Sequence, residues 1–431
     1  TIGRLRREIE PVSRRDLLRF FADWQHLTPD TRLEGPDGLI ATLHQLEGFA
    51  AAAGAWEAEL LPARVGDYAS RWLDELCRAG RFGWNRLRAG SGSAGPVRAT
   101  PIVLLPRRQM AIWTSMAADG QPQEALPSSR AQAVADALAA HGALFFDELL
   151  DATRLLRTEL ENALGELVAA GRISADSFAG LRALLLPAAK RDSRPHRRAR
   201  RHALSEIEDA GRWSLARPSL LPAGDKVAPK GADEGRVLAA ESPTARSWPG
   251  PGRNGPSSSP SSGRAGGEGD EQVEHVARVL LRRYGVVFWK LLEREAPWLP
   301  SWRELLRVYH RLEARGEIRG GRFVEGLVGE QFALPEAIGA LRAVRQRQPS
   351  QQLVCVSGSD PLNLVGTVLA GDKLPALAGT RVLYEDGVPV AALVANKPQF
   401  LQEADGATQQ RWRSALLRRP GSEAHGIGLA V

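Results

Sequence analysis

The 431 residues contain only two cysteines, Cys77 and Cys355, too few for a disulfide framework and without the spacing that would hold a metal. A reducing, cytoplasmic setting is the expectation. Lysine is also scarce: six of the 57 basic residues are Lys, which leaves arginine as the chain's general surface cation. No apolar run approaches the ~18 to 20 residues that span a bilayer, and the opening stretch TIGRLRREIEPVSRRDLLRFF is charged throughout, without a signal-peptide core. A membrane partner is therefore not expected. The first residue is Thr1, not Met, and a piece of a longer polypeptide is the expectation.

Chemical motifs are equally sparse. No Gly-rich loop ends in Gly-Lys-Ser/Thr, no serine sits in a nucleophile elbow, and none of the eight histidines stands at ligand spacing from another His, Cys or Glu. ATP hydrolysis by this chain is not expected, and no cofactor is assigned to it. The stretch GSGSAG, Gly90 to Gly95, matches the dinucleotide fingerprint letter for letter but opens no helix, and a loop is the reading adopted. The net charge of +7 is concentrated: the whole surplus lies between Lys190 and Arg264, and the remainder is neutral. Nucleic-acid binding must then rest on local patches.

One such patch organises the chain. In SWRELLRVYHRLEARG, Ser301 and Glu304 form a capping box and Gly316 supplies a left-handed stop, predicting a helix from about Trp302 to Arg315. Trp302, Leu305, Leu306, Tyr309 and Leu312 share one face, with His310 between core and rail. Arg303, Arg307, Arg311 and Arg315 recur every fourth residue on the other face. The following EIRGGRFVEGLVGEQFAL reads as a two-stranded ribbon, so Arg319 and Arg322 extend the rail into a wing. These six arginines are the candidate phosphate contacts. A solvated helix face is the plain alternative.

The order helix, glycine, capped helix, ribbon occurs more than once. The expected domains are a helical region with a first winged helix at 1–129, a second winged helix at 130–186, a disordered linker at 187–270, a third winged helix at 271–345, and a β module with a flexible tail at 346–431. In the first, helices are expected at Arg14 to Trp24, Gly38 to Phe49, Trp56 to Val65 and Tyr68 to Arg78, then strands at Arg81 to Leu87, Pro101 to Leu105 and Gln109 to Ser115. In the second, Thr158 and Glu161 read as a capping box, Glu159, Glu161 and Glu166 as an acidic surface, and RISADSFAGLRALLL as a wing. Gly142 to Gly171 spans 29 residues and Gly285 to Gly316 spans 31, which supports a tandem array. The linker is rich in Pro, Gly, Ser and Arg and lacks the apolar content to stay folded; GRWSL, Gly211 to Leu215, is its one apolar island, able to dock on a neighbour. KRDSRPHRRARR, Lys190 to Arg201, could tether nucleic acid without sequence preference. In the β module, Leu353 to Val356 and Leu362 to Leu369 are strand candidates, and RVLYEDGVPVAALV is a hairpin turning at Asp386-Gly387. The fold class is mostly α with β: tandem winged-helix domains plus a small C-terminal β-barrel-like module. If the chain carries chemistry, the candidate carboxylates are Asp360 and Asp405.

The segments RLEGPDGLIATLHQLEGF, AGAWEAELLPARVGDY, WLDELCRAGRFGW, ELVAAGRISADSFAGLRALL, RRYGVVFWKLLERE, RGEIRGGRFVEGLVGEQFALPEA and DPLNLVGTVLAGDKLPALAGTRVLYEDG closely resemble the C-terminal half of long bacterial Lhr (large helicase-related) proteins. The resemblance implies a C-terminal extension of an ATP-dependent 3′-to-5′ helicase acting on DNA or an RNA:DNA hybrid. The ATP and Mg would belong to a motor absent from this chain, and the partners would be nucleic acid and the helicase core. It also implies a likeness to the AlkZ type of DNA glycosylase and hence an alternative, uracil excision. A third alternative is an oligomerisation scaffold for the motor, with homo-oligomers. No residue of this chain matches a glycosylase active-site motif position by position.

Overall fold

The computed structural model of the chain describes residues 10–88, 97–118, 127–185, 207, 210–216 and 265–418. The GSGSAG loop, the Lys190 to Arg201 cluster and the C-terminal dozen residues lie outside the described residues. Helix α1 (Arg14–Trp24) is capped by Ser13, whose side chain accepts from the Asp16 amide, and buries Leu17, Phe20 and Phe21. Then come α2 (Gly35–Gln45), strand β1 (Ala51–Ala52), a helical stretch through residues 53–64, and α3 (Ser70–Arg78). Strands β2 (Phe82–Asn85) and β3 (Pro101–Pro106) close a sheet of order β1-β3-β2, antiparallel throughout.

Residues 110–118 form helix α4 (Met110–Ala118), not the strand expected at Gln109 to Ser115. Trp113, Met116 and Ala117 are its buried residues, spaced as one stripe of a helix and not as alternating faces of a strand.

Helices α5 (Ser129–His141), α6 (Phe146–Thr153) and α7 (Arg157–Ala169) follow. Here the sequence expectation needs three corrections. The box at the start of α7 is not Thr158 with Glu161: Leu156 stands at the cap and its amide donates to the Glu159 carboxylate at 3.0 Å. Glu161 is consequently turned inward, buried and ion-paired with Arg157 at 3.5 Å, so it is not part of an acidic surface. The supposed wing is strand only at β4 (Ile173–Ala175), because Phe178–Leu184 is a buried helix. The partner of β4 is β5 (Trp213–Leu215), the apolar island of the expected linker. Trp213 is fully buried, and the helix carrying Gly180 can approach it only because Gly180 has no side chain: a Cβ there would lie 2.8 Å from the Trp213 ring. Leu144 bridges to Trp213, so this unit repeats the strand order of the first, its third strand arriving from far along the chain.

Helix α8 (Ala265–Tyr284) begins inside the stretch assigned to the linker. After it stand β6 (Val286–Val287), a 3-10 turn at Trp289–Arg294, α9 (Trp302–Ala314), β7 (Arg319–Gly321) and β8 (Gln331–Ala333), in sheet order β6-β8-β7. The capping box is as read from the sequence: Glu304 accepts from the Ser301 amide at 2.8 Å while the Ser301 hydroxyl accepts from the Glu304 amide. Gly316 has φ +79°, the left-handed stop.

Helix α10 (Pro335–Gln346) leads to β9 (Leu353–Ser357), β10 (Arg381–Glu385), β11 (Val388–Val394) and β12 (Lys397–Phe400), a four-stranded antiparallel meander in chain order. The sheet is open, so the barrel-like expectation is not supported. Residues 362–369 are turns and an isolated Val365–Leu369 bridge, not a strand. Asp386 (φ +46°) and Gly387 (φ +82°) make the hairpin turn in the left-handed region, as predicted. This turn is pressed onto α1: a Cβ on Gly387 would collide with the Arg15 carbonyl oxygen. Helix α11 (Gly406–Leu417) covers one sheet face through Trp412 and Leu416.

The cores do not follow chain order. Helix α1 packs with α8, α9, α10 and the β module, Phe21 lying 5.8 Å from Tyr284, whereas α2 and α3 share a core with α5 to α7 and Trp213.

Candidate nucleic-acid interface

All six candidate arginines, Arg303, Arg307, Arg311, Arg315, Arg319 and Arg322, are exposed. They divide into two groups. Arg311 is ion-paired with Asp270 at 3.1 Å, and Arg315 with Glu274 at 3.0 Å and Glu317 at 2.9 Å, so half the helix rail is neutralised by α8 and the turn after α9. Arg303, Arg319 and Arg322 have no hydrogen bond or ion pair among the described residues, and Arg307 has only the attraction of Glu304 one turn away. The free positive charge therefore sits at the start of α9 and on the wing. His310 is exposed, not lodged between rail and core, and pairs with Glu330 at 3.1 Å, linking the outer face of α9 to the wing. Between them the wing tip exposes Val328 at 81%.

A cleft of about 460 Å³ opens beside this face, between α4, α8 and α9. Its lining includes Arg88, Met116, Gly269, Trp298, Arg307 and Val308. Trp298 stands edge-on to Trp113 with centroids 6.3 Å apart, and the Arg88 guanidinium lies over its ring at 5.8 Å. Sequence reading missed this constellation. A signal was available in Pro297-Trp298-Leu299-Pro300, where a Trp between prolines cannot be a helix-interior residue.

The candidate carboxylates are not brought together. Asp360 is 1% exposed and bound by both guanidinium nitrogens of Arg64, at 2.8 and 3.1 Å, while Arg64 is itself fully buried and also donates to the Gln25 side chain at 2.7 Å. Asp360 Oδ1 also accepts from the Leu362 amide, and Arg294 donates to the Asp360 carbonyl. Asp360 thus fastens the β module to the first winged helix. Asp405 is the N-cap of α11, accepting from the Thr408 amide at 2.8 Å, a bond that holds its carboxyl below the ordinary value. The catalytic expectation finds no support in either setting. Among the described residues no three His, Cys, Asp or Glu side chains are grouped as a metal would require, and no helix is long and apolar enough to cross a membrane.

Comparison with known proteins follows the same lines. Two family models, each described as a winged-helix domain of large helicase-related protein, match residues 12–107 and 267–353. A Mycolicibacterium smegmatis protein named Lhr helicase/probable uracil glycosylase is 29% identical over 97% of this chain and 26% of its own length. An Escherichia coli Lhr helicase/uracil glycosylase is 30% identical over 80% of this chain and 20% of its own length. The chain spans about a fifth to a quarter of these relatives. The Streptomyces sahachiroi DNA glycosylase AlkZ aligns over 94% of this chain and 96% of its own, with a TM-score of 0.48 and 13% identity. The two winged-helix matches and the two relatives together support a C-terminal winged-helix region of the large helicase-related (Lhr) type.

Proposed function

We propose that this chain is a nucleic-acid-binding part of a DNA-repair helicase, holding DNA for a motor carried elsewhere in the same polypeptide. The observation that carries the reading is the third winged helix, whose recognition helix and wing present Arg303, Arg307, Arg319 and Arg322 to solvent without an ion-paired carboxylate among the described residues. Uncompensated guanidinium groups on a convex helix-and-wing surface are the feature that phosphates seek. The test is the double reversal Arg307→Glu with Arg322→Glu, titrated by fluorescence anisotropy against duplex DNA over a range of salt. Affinity should fall about tenfold or more for every sequence, and the log–log salt slope should flatten by about two. Unchanged affinity and slope would return these arginines to ordinary solvated surface.

Base excision is the second reading, supported by the names that both relatives carry. It requires a group to activate water at the sugar of a flipped nucleotide. Asp360 and Asp405 are the candidates from sequence, and their engagement with Arg64 and the α11 cap favours weak excision or none. Incubation with uracil-containing single-stranded DNA followed by alkaline cleavage tests this. Strand breaks at the uracil that survive Asp405→Asn would place the active group elsewhere.

A further inference from the structure

We propose that the cleft between α4, α8 and α9 receives an unpaired base of single-stranded nucleic acid whose backbone runs along the free end of the arginine rail. This rests on the nucleic-acid reading above and adds the kind of strand and the seat of one base. Three observations carry it. The cleft, at about 460 Å³, is of the size that takes a nucleotide-sized group. Its wall offers a planar surface, the Trp298 ring with the Arg88 guanidinium over it, and bases released from a duplex stack on aromatic rings and guanidinium planes. Met116 and Val308 supply apolar wall beside it. Its rim is the rail itself, because Arg307 and Arg311 line it, so a strand whose phosphates meet Arg307 has its bases at the mouth. The two acidic groups at the rim are already engaged within the chain, Asp270 by Arg311 and Glu304 by the Ser301 cap. A paired base cannot enter, since its Watson–Crick edge is occupied and its faces are covered by neighbours. The cleft therefore distinguishes single strand from duplex, whereas the rail does not.

Gly269 makes a clean test possible. It lines the cleft from the second turn of α8, and a Cβ built there meets nothing within 4 Å, so Gly269→Leu fills the cleft without disturbing the core and with better helix propensity. The probes are a fluorescein-labelled dT 20-mer and a 20-base-pair duplex, read by anisotropy, together with the same dT strand carrying one 5-iodouracil for photocrosslinking. Gly269→Leu should weaken the single strand by about tenfold, the scale of one lost base–aromatic stack, with its salt slope and the duplex affinity unchanged. The crosslink should map to Trp298 or Met116 in the parent and disappear in the variant. Trp298→Leu should show the same single-strand selectivity of loss. Equal losses for both probes, no loss for either, or a crosslink outside the cleft would overturn the base seat while leaving the nucleic-acid reading intact. Failure of the parent to bind either probe would overturn both.

Discussion

Arginine serves two opposite ends in this molecule, and the contrast between Arg64 and Arg307 shows what decides between them. Arg64 is fully buried, held through its two terminal nitrogens by Asp360 and Gln25, and joins two parts of the chain nearly three hundred residues apart in sequence. Arg283 is similar, buried with Glu295 and the Glu47 carbonyl as partners. Arg307 stands in solvent, and among the described residues only Glu304, one turn away on the same helix, attracts it. A guanidinium taken out of water must have its charge paired or it destabilises the fold, whereas one left in water is available to an external anion. The same distinction recurs in the three helix-and-sheet units. In the second, Glu166 of α7 binds the Ser128 amide and hydroxyl, and in the first, Asp74 of α3 binds Arg182 at 3.1 Å. In the third, the outward face of the recognition helix keeps two arginines, Arg303 and Arg307, without a hydrogen bond or ion pair among the described residues, where the first has Arg71 alone.

The largest effect that would sharpen this contrast is expected at the buried pair. Asp360→Asn leaves Arg64 charged and uncompensated in the interior and should cost about 3 to 5 kcal/mol of unfolding free energy, measured by urea titration. A variant as stable as the parent would show that the pair is not what joins the β module to the first winged helix. Next is the exposed set: Arg307→Gln should reduce DNA affinity and salt slope more than Arg311→Gln, because Asp270 already neutralises Arg311. Equal effects would erase the division between free and paired rail arginines.

Asp386 gives a pH-dependent version of the buried case. Burial alone would raise its carboxyl, but the amides of Ser350, Gln351 and Gln352, aided by Arg19, outweigh it and hold the group below its ordinary value. The unfolded chain then takes up the proton first, so the stabilisation is complete above the ordinary Asp value of about 3.9 and is lost as pH falls through the lower folded-state value. Asp386→Asn should be less stable than the parent at pH 7, with the gap closing in strong acid; a gap independent of pH would remove the charge from the explanation. The smallest change is expected at the surface cap. Asp405→Asn should leave the urea midpoint at the parent's value, since Asn caps as well as Asp, while Asp405→Ala should lower it slightly.

Local signals in the chain were legible where the cause is local. The Ser301–Glu304 box, the Gly316 stop and the Asp386-Gly387 turn each depend on a few consecutive residues, and each stands where the sequence places it. Reading failed where a distant segment completes the element. Nothing near β4 announces that its partner is Trp213–Leu215, so RISADSFAGLRALLL reads locally as a complete wing although Phe178–Leu184 is a helix. The acidic surface expected on α7 fails for a related reason: the cap stands at Leu156, two residues before Thr158, and Glu161 is buried beside Arg157.

The sequence by itself determined the helix α9 with its cap and stop, the Asp386-Gly387 turn and the arginine spacing, because backbone hydrogen bonds and side-chain periodicity act over one or two turns. Only the tertiary structure decided which arginines are free. Whether a guanidinium finds a carboxylate depends on groups brought beside it by folding, as Asp360 is brought to Arg64 and Asp270 to Arg311, and no spacing along the chain encodes that meeting.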